Sequence, residues 1–428
     1  MAPDLTLDRA RPLTLGQVAA ADPAISALGD VLDLDRLTAR LAAATGAPGR
    51  VSRPYLRYKP GTSVVLACRW TGGSGPRDVL VRAYADGSRG KLDKGLDPRR
   101  PEEVLLLDRD AALVVTGWAA DRRLPAARDV AGLAADAVGR LATWRLLRHN
   151  PERRAVLHTR GPRGEALVRV VRPDAVARAA QGYALLGAVC DQAPGATAVR
   201  VPRLRSVDAE RGVVVTGWAP GRSLDRLDAA GALDDAALRE VGALAAALHG
   251  ARPAGAGLPT RPDGAVPLHG DLSLDQLVRS PAGELWLVDA DAARWGRPAE
   301  DLGSLAAALV RAHGDADAAA ARLAAVLDGY VAAGTEPVAE PELRAAVAEH
   351  LRRRATEPFR RLEDDWATTS AALRSLADDV EDGRGGALGS AIATERPVGG
   401  AATGRAPWIR TAPVAEALAD ALAAQGHA

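Results

Sequence analysis

Lysine is almost missing from this chain of 428 residues: Lys59, Lys91 and Lys94 are the only ones. Any fixed positive charge beyond residue 94 therefore falls to arginine. Aromatic residues are scarce, with Phe359 the single phenylalanine, so the cores must be built from Ala, Leu and Val. The two cysteines, Cys68 and Cys190, lie far apart in apolar runs and read as buried free thiols in a reducing cytoplasm rather than as a disulfide framework. Charge of one sign is not in excess: 55 basic against 54 acidic residues leave +1, no footprint for nucleic acid or an anionic membrane. No apolar run approaches the roughly 18 residues that span a bilayer. The opening MAPDLTLDRARP has early acids and no apolar stretch, so no signal peptide is expected, and the expected location is cytoplasmic. What the chain does have is length for two or three domains and a hydrophobic content of 47%.

Residues 1–50 suggest a helix capped by Asp33, with Leu34, Leu37, Leu41 and Ala44 at helical spacing before Gly46. Two β-rich runs then flank a Lys-Pro-Gly turn in YLRYKPGTSVVLACRW, residues 55–70, which predicts a hairpin. DVLVRAY (78–84) and ALVVTGW (112–118) read as further strands, and 126–147 as a helix. The pattern then recurs. LRHNPERRAVL (147–157) echoes LRYKPGTSVVL (56–66), ALVRVV (166–171) echoes VLVRAY (79–84), and VVVTGWAPGRSL (213–224) echoes LVVTGWAADRRL (113–124). A duplication explains this better than chance likeness of Ala/Val/Arg-rich text, because VVTGWA recurs at the matching place. From residue 225 the text turns helical, with helices expected near 233–249, 301–311, 318–333, 341–354 and 366–380. Residues 383–404 read as a mobile linker and 414–424 as a terminal amphipathic helix.

The most telling stretch is residues 268–301, LHGDLSLDQLVRSPAGELWLVDADAARWGRPAED. Asp271 follows His269 and Gly270, the amide Gln276 comes five residues later, and a polar turn leads into an apolar strand ending on Asp289. This loop, hairpin and acid suit Mg²⁺ and a phosphate chain, because phosphoryl transfer needs an acceptor-orienting carboxylate and metal ligands more than covalent help.

These residues resemble the aminoglycoside phosphotransferase and choline kinase superfamily. Its His-Gly-Asp, amide, strand-ending Asp and following Pro and Asp-Leu all have counterparts here. VVVTGWAPGRSL resembles its hinge strand and LAAALH its Ala-Leu-His helix end, so the likeness covers about 150–380. The resemblance implies an α+β, two-lobed protein-kinase-like fold with a β-rich N-lobe and a helical C-lobe, here preceded by a degenerate N-lobe-like repeat. The expected divisions are a helical segment (1–50), the repeat as a cap (51–146), the N-lobe (147–224), the C-lobe (225–382) and a linker with terminal helix (383–428).

The resemblance also implies roles. Asp271 is the acid that orients the acceptor hydroxyl and takes its proton, and His269 fixes the loop. Gln276 and Asp289 are Mg²⁺ ligands, and Asp291 either assists a second metal or is simply solvated. Asp301 either holds the catalytic loop or only caps a helix. Backbone groups from Val215 through Gly217 to Trp218 contact the adenine of ATP. The departure is at the phosphate-binding strand lysine: its place holds Arg169, and the helix candidate 175–186 has no acid to pair with it. Arg169 then serves with altered geometry, Lys59 reaches in from the first copy, or the nucleotide site is impaired. HTRGPRGE (158–165) is either a phosphate cover or a plain hairpin turn. A second His-Gly-Asp, His313 to Asp315, lacks the amide and the strand and reads as a decoy. The basic run HLRRRATEPFRR (350–361) is either a solvated helix face or a site for an anionic acceptor.

The expectation is an ATP-dependent, Mg²⁺-assisted phosphotransferase acting on a small-molecule hydroxyl of a sugar, amino sugar, aminoglycoside or amino alcohol. A homodimer and a catalytically silent kinase-shaped module remain open.

Overall fold

The computed structural model describes residues 13–392, except 74, 99, 193–198 and 256–257. The expected terminal helix at 414–424 lies outside the described residues.

Three short helices open the chain: α1 (Leu15–Ala21), α2 (Leu28–Leu32) and α3 (Leu34–Thr45). Asp33 caps α3, its carboxylate accepting from the N–H groups of Asp35 and Arg36 at 3.0 Å each. Gly46, in the left-handed region at φ 65°, ends it. An antiparallel sheet follows, made of β1 (Gly49–Lys59), β2 (Ser63–Gly72), β3 (Gly75–Tyr84), β4 (Val104–Asp108) and β5 (Leu113–Gly117), in the order β1-β2-β3-β5-β4. After α4 (Val130–Val138) comes a second sheet: β6 (Thr143–Asn150), β7 (Arg154–Gly161), β8 (Gly164–Val171), β9 (Leu204–Asp208) and β10 (Val213–Gly217). Its order is β6-β7-β8-β10-β9, the same path traced again. The registers agree in detail, with Arg82 opposite Val114 in the first sheet and Arg169 opposite Val214 in the second. The sheets differ in one connection. Between β8 and β9 runs the 15-residue α5 (Val176–Cys190), whereas β3 and β4 are joined by short 3-10 turns between residues 86 and 103.

The helix expected over 126–147 is a correction. Only α4 is α-helical there. Gly139 at φ 97° breaks it, and residues 143–150 pair with β7. Trp144 and Leu147 stand exposed on this edge strand, so its Leu and Arg do not mark a helix face. The expected division at 146/147 thus falls inside β6.

The helical part begins with β11 (Arg222–Ser223), α6 (Leu224–Ala229) and α7 (Asp235–Gly250). The strands β12 (Val266–Leu268), β13 (Leu277–Arg279), β14 (Leu285–Leu287) and β15 (Arg294–Gly296) surround the loop of interest. Then come α8 (Pro298–His313), α9 (Ala316–Ala332), α10 (Glu340–Arg354), α11 (Glu357–Arg360), α12 (Trp366–Glu381) and α13 (Gly386–Ile392). The last occupies the start of the expected linker and buries Leu388 and Ile392. The second His-Gly-Asp is a helix junction: Gly314 closes α8 in the left-handed region, and Asp315 caps α9.

The largest apolar core joins α5 to α7 through α10 and α12. A second core joins α1 to α3 and the first sheet to Phe359 and Trp366 of the helical part. Those two rings meet edge to face, centroids 4.9 Å apart. Burying a phenylalanine contributes roughly 1.5–3 kcal/mol, and such pairs add about 0.5–1.5 kcal/mol more. The first sheet is therefore docked on the helical part as well as on its neighbour.

Candidate active site

The loop after β12 is fixed from below by Asp301 in the first turns of α8. Its fully buried carboxylate accepts the N–H groups of His269 and Gly270, both at 2.7 Å, and the His249 ring at 3.3 Å. His249 in turn meets the Tyr330 hydroxyl at 3.0 Å. Burial would push Asp301 up, but His249, the His269 charge and the His269 amide hold it below the usual carboxylate range. Asp301 thus grips the loop and makes no cap to its own helix. His269 is wholly buried, its Nε2 donating to the Val288 carbonyl at 2.8 Å, which ties the loop to the strand before Asp289. Gly270 sits at φ 81°, and a Cβ there would meet the Ala292 carbonyl at 2.2 Å, so only glycine lets the loop close on the 290–292 turn.

The next residue, Asp271, is exposed and makes no hydrogen bond or ion pair among the described residues. Crowding by protein raises its pKa; the Arg354 and His269 charges oppose this, and Asp289 and Asp275 add to it. A free carboxylate with a raised pKa is what a general base requires. Gln276 is buried and pairs through its carbonyl with the Val288 N–H at 2.8 Å, so the hairpin sets it beside the approach to Asp289.

Asp289 adopts the left-handed conformation, φ 63° and ψ 49°, sparsely used by non-glycine residues and enriched at functional sites. Two arginines converge on it. Arg154, at the start of β7, reaches Asp289 at 3.0 Å and Asp291 at 3.3 Å. Arg169, from β8, lies 3.5 Å from each. Against the opposing effect of burial, the two guanidiniums pull Asp289 down to about 2. Asp291 is raised by burial and by its neighbour Asp289. Its Oδ1 is buried without a hydrogen bond.

The missing helix acid also has a structural answer. Tyr183 of α5 stacks its ring under Arg169, 5.1 Å from the guanidinium carbon, and its hydroxyl accepts the Ala290 N–H at 3.3 Å. Gly182 beside it permits this approach, since a Cβ there would strike the Ala290 carbonyl at 2.1 Å. Despite full burial, Tyr183 and the two carboxylates raise the Arg169 pKa, so it is a permanent cation.

Three expected features fall elsewhere. Lys59 ends β1 exposed, and from the same strand Arg57 donates to the Pro151 carbonyl, in the β6–β7 turn, at 3.1 Å. Residues 161–164 form the plain β7–β8 turn, with Gly161 paired to Gly164. The turn at the other end of β7, residues 150–153, adjoins Arg154, which contacts the carboxylates. The Gly217 N–H donates to the Arg203 carbonyl at 2.9 Å, and Val215 is an inner strand position, so their expected adenine contacts would have to use other backbone groups. A cavity of about 1240 Å³ adjoins this strand end, lined by Tyr183, Gly187, Val201, Arg203, Gly217 and Trp218; Asp271 and Asp289 do not line it.

Arg154 and Tyr183 were missed in the sequence. The signal for Arg154 was present in the repeat: it stands where the first copy has Ser63, a charge gained at an otherwise matching turn.

Residues 143–266, the second sheet and the elements up to β12, match the phosphotransferase enzyme family. The chain resembles that family. The match supports a phosphotransferase, and the loop at 268–301 follows directly on the matched segment. No curated protein matches the chain in sequence. Among solved structures it is similar to the macrolide 2'-phosphotransferase MphH of Brachybacterium faecium, 19% identical, covering 59% of this chain and 97% of that one at a TM-score of 0.38. The choline kinase LicA of Streptococcus pneumoniae is 12% identical over 63% and 99%, at 0.39. A choline/ethanolamine kinase family protein of Mesorhizobium loti is 16% identical over 58% and 92%, at 0.38. Among the described residues, no helix is long and apolar enough to cross a membrane.

Proposed function

We propose that the chain moves the γ-phosphate of ATP to a hydroxyl of a small molecule, with Asp271 as the base. The observation that carries this is the pairing of a free carboxylate at Asp271 with a strained acid, Asp289, beneath two guanidiniums.

The residues suit a magnesium ion. Asp289, Asp291 and the Gln276 amide are hard oxygen donors, and the Asp291 Oδ1 is buried without a hydrogen bond. Among the described residues no group of three or more His, Cys, Asp or Glu is placed to hold a metal. Mg²⁺ commonly takes one or two carboxylates and shares the rest of its shell with substrate phosphates. Bound there, Mg²⁺ would neutralise charge on the phosphate oxygens.

The chain's own residues do the rest. Arg169, held rigid by Tyr183, presents permanent charge to the phosphates where a strand lysine is more usual, and its planar fork suits phosphate oxygens. Arg154 adds a second cation from the turn above. Asp271, anchored through Asp301, orients the acceptor hydroxyl and accepts its proton as the oxygen attacks. Its raised pKa makes it a stronger proton acceptor for that step. His269 is buried against Val288 and moves no proton; it keeps the loop and Asp289 in register.

The proposal is tested by ATP consumption across a panel of hydroxyl compounds, with Asp271→Asn as the control. Turnover that Asp271→Asn leaves intact rejects the assigned base. The silent-module reading predicts no ATP-dependent product with any acceptor.

A further inference from the structure

We infer that the acceptor is an anionic alcohol, and that Arg153 and Arg360, flanked by Arg57 and Arg354, form the wall that holds its carboxylate or phosphate group. This rests on the phosphoryl-transfer reading above and names the class of substrate.

Three separate parts of the chain bring these arginines together. Tyr58 and Phe359 are in ring contact, centroids 6.2 Å apart, which lays α11 against the end of β1. From that end Arg57 donates to the Pro151 carbonyl at 3.1 Å and meets Glu152 at 3.4 Å, which brings in the turn carrying Arg153. Arg153 and Arg360 are both half-buried, and neither guanidinium has a hydrogen-bond or ion-pair partner among the described residues. After burial, the charges of Arg57, Arg360 and Arg154 depress the Arg153 pKa, as expected of the cations that these contacts bring close together. Arg354 meets Glu357 at 3.2 Å, but its Nε is buried without an acceptor. It is also the leading charged neighbour of Asp271, which sets this wall beside the base.

The outward arginines of the same run differ. Arg352 pairs with Asp378 and Glu381, Arg353 with Glu349, and Arg361 with Glu357. The solvated face is neutralised, whereas on the inward face Arg153 and Arg360 have no carboxylate and Arg354 shares Glu357 with Arg361. Half-buried guanidiniums without carboxylates are costly to hold together, and a bidentate anion relieves that cost. The same wall repels a cationic acceptor.

The experiment has two arms on the full chain. Titration calorimetry with inorganic phosphate and with citrate reads the wall directly, on wild type and on Arg153→Ala and Arg360→Ala. Binding weakened tenfold or more by either change, and partly restored by Arg360→Lys, is expected; no binding to wild type, or binding the variants leave unchanged, overturns the inference. The second arm measures ADP release with gluconate, glucose 6-phosphate, glucose, choline and kanamycin. Turnover with one or both anionic alcohols, with Arg360→Ala raising the acceptor KM and sparing that of ATP, is expected, and the two compounds distinguish carboxylate from phosphate. Turnover confined to neutral or cationic acceptors overturns it, as does a change in the ATP KM alone, which would assign the arginines to the nucleotide. Anion binding through these arginines with no ATP-dependent turnover of any acceptor sinks the phosphoryl-transfer reading and leaves the wall standing. Circular dichroism confirms that the variants are folded.

Discussion

The two five-stranded sheets share a strand order, the register of a buried arginine and a way of gripping their first turn, yet among the described residues the second sets its arginine against a pair of carboxylates and the first against one. In the first, Asp22 accepts the Tyr58 hydroxyl at 2.6 Å and the Gly61 N–H at 2.7 Å. In the second, Asp121 accepts the His149 ring at 3.1 Å and the Glu152 N–H at 2.7 Å. Tyr58 and Gly61 occupy the places of His149 and Glu152 in the repeated text, so the grip recurs from an unrelated preceding segment. The buried arginines then diverge. Arg82 donates to the Ala120 carbonyl at 3.2 Å and stands 3.9 Å from Asp121, with Nε and one terminal nitrogen unpartnered. Arg169 is shared between Asp289, Asp291 and Tyr183. The lesson is that the sheet supplies a rigid cation and a clamped turn, while chemistry comes from what is set beneath. Here that is α5 and the 289–291 turn, where the first sheet has only short 3-10 turns.

Changing the base gives the largest expected effect. Asp271→Asn should lower kcat by about 10²–10⁴ while ATP still shifts the melting temperature. Next, parallel replacements separate the two arginines. Arg169→Met leaves the half-buried Asp289 and Asp291 with Arg154 as their one guanidinium partner; it should cost up to about 3–5 kcal/mol and abolish nucleotide binding. Arg82→Met leaves Asp121 with His149 and two backbone amides, so denaturant midpoints should show a smaller loss and calorimetry should show ATP binding retained. Equal effects of the two would break the comparison.

The aspartate grips come third. Asp121→Asn and Asp22→Asn should each cost about 1–3 kcal/mol. Only Asp121→Asn should raise the KM for ATP, because only its turn carries Arg154. The smallest expected effects concern pH. Asp301 and Asp289 are held below the ordinary carboxylate range, the latter at about 2, so each stabilises the fold above its unfolded pKa. That contribution fades as pH falls below about 4. Asp301→Asn should therefore flatten part of the acid-side fall in denaturation midpoint. Asp271, raised instead, should place the acid limb of kcat/KM above the usual aspartate value, and Asp271→Asn should remove that limb.

Much of this was legible in the sequence where local rules sufficed. The Asp33 cap, the Lys-Pro-Gly hairpin and the repeated VVTGWA strand each carry their own short-range signal. The strand at 143–150 was misread because an edge strand rich in Leu and Arg resembles a helix face, and only pairing with β7 settles it. Arg154 and Tyr183 were hidden for another reason. Their partners lie more than 100 residues away, at Asp289 and Ala290, and no spacing rule joins β7, α5 and the 289–291 turn. Between helix cap and loop anchor, the role of Asp301 depends on tertiary contact alone, because its carboxylate accepts the N–H groups of His269 and Gly270, about 30 residues away.

The central claim is that Asp289, under Arg154 and Arg169, is where Mg-ATP is held. Titration calorimetry of Mg-ATP into wild type and Asp289→Asn tests it most directly: binding to the wild type that the amide weakens at least tenfold is the predicted result, and equal affinity for both proteins, or none for the wild type, contradicts it.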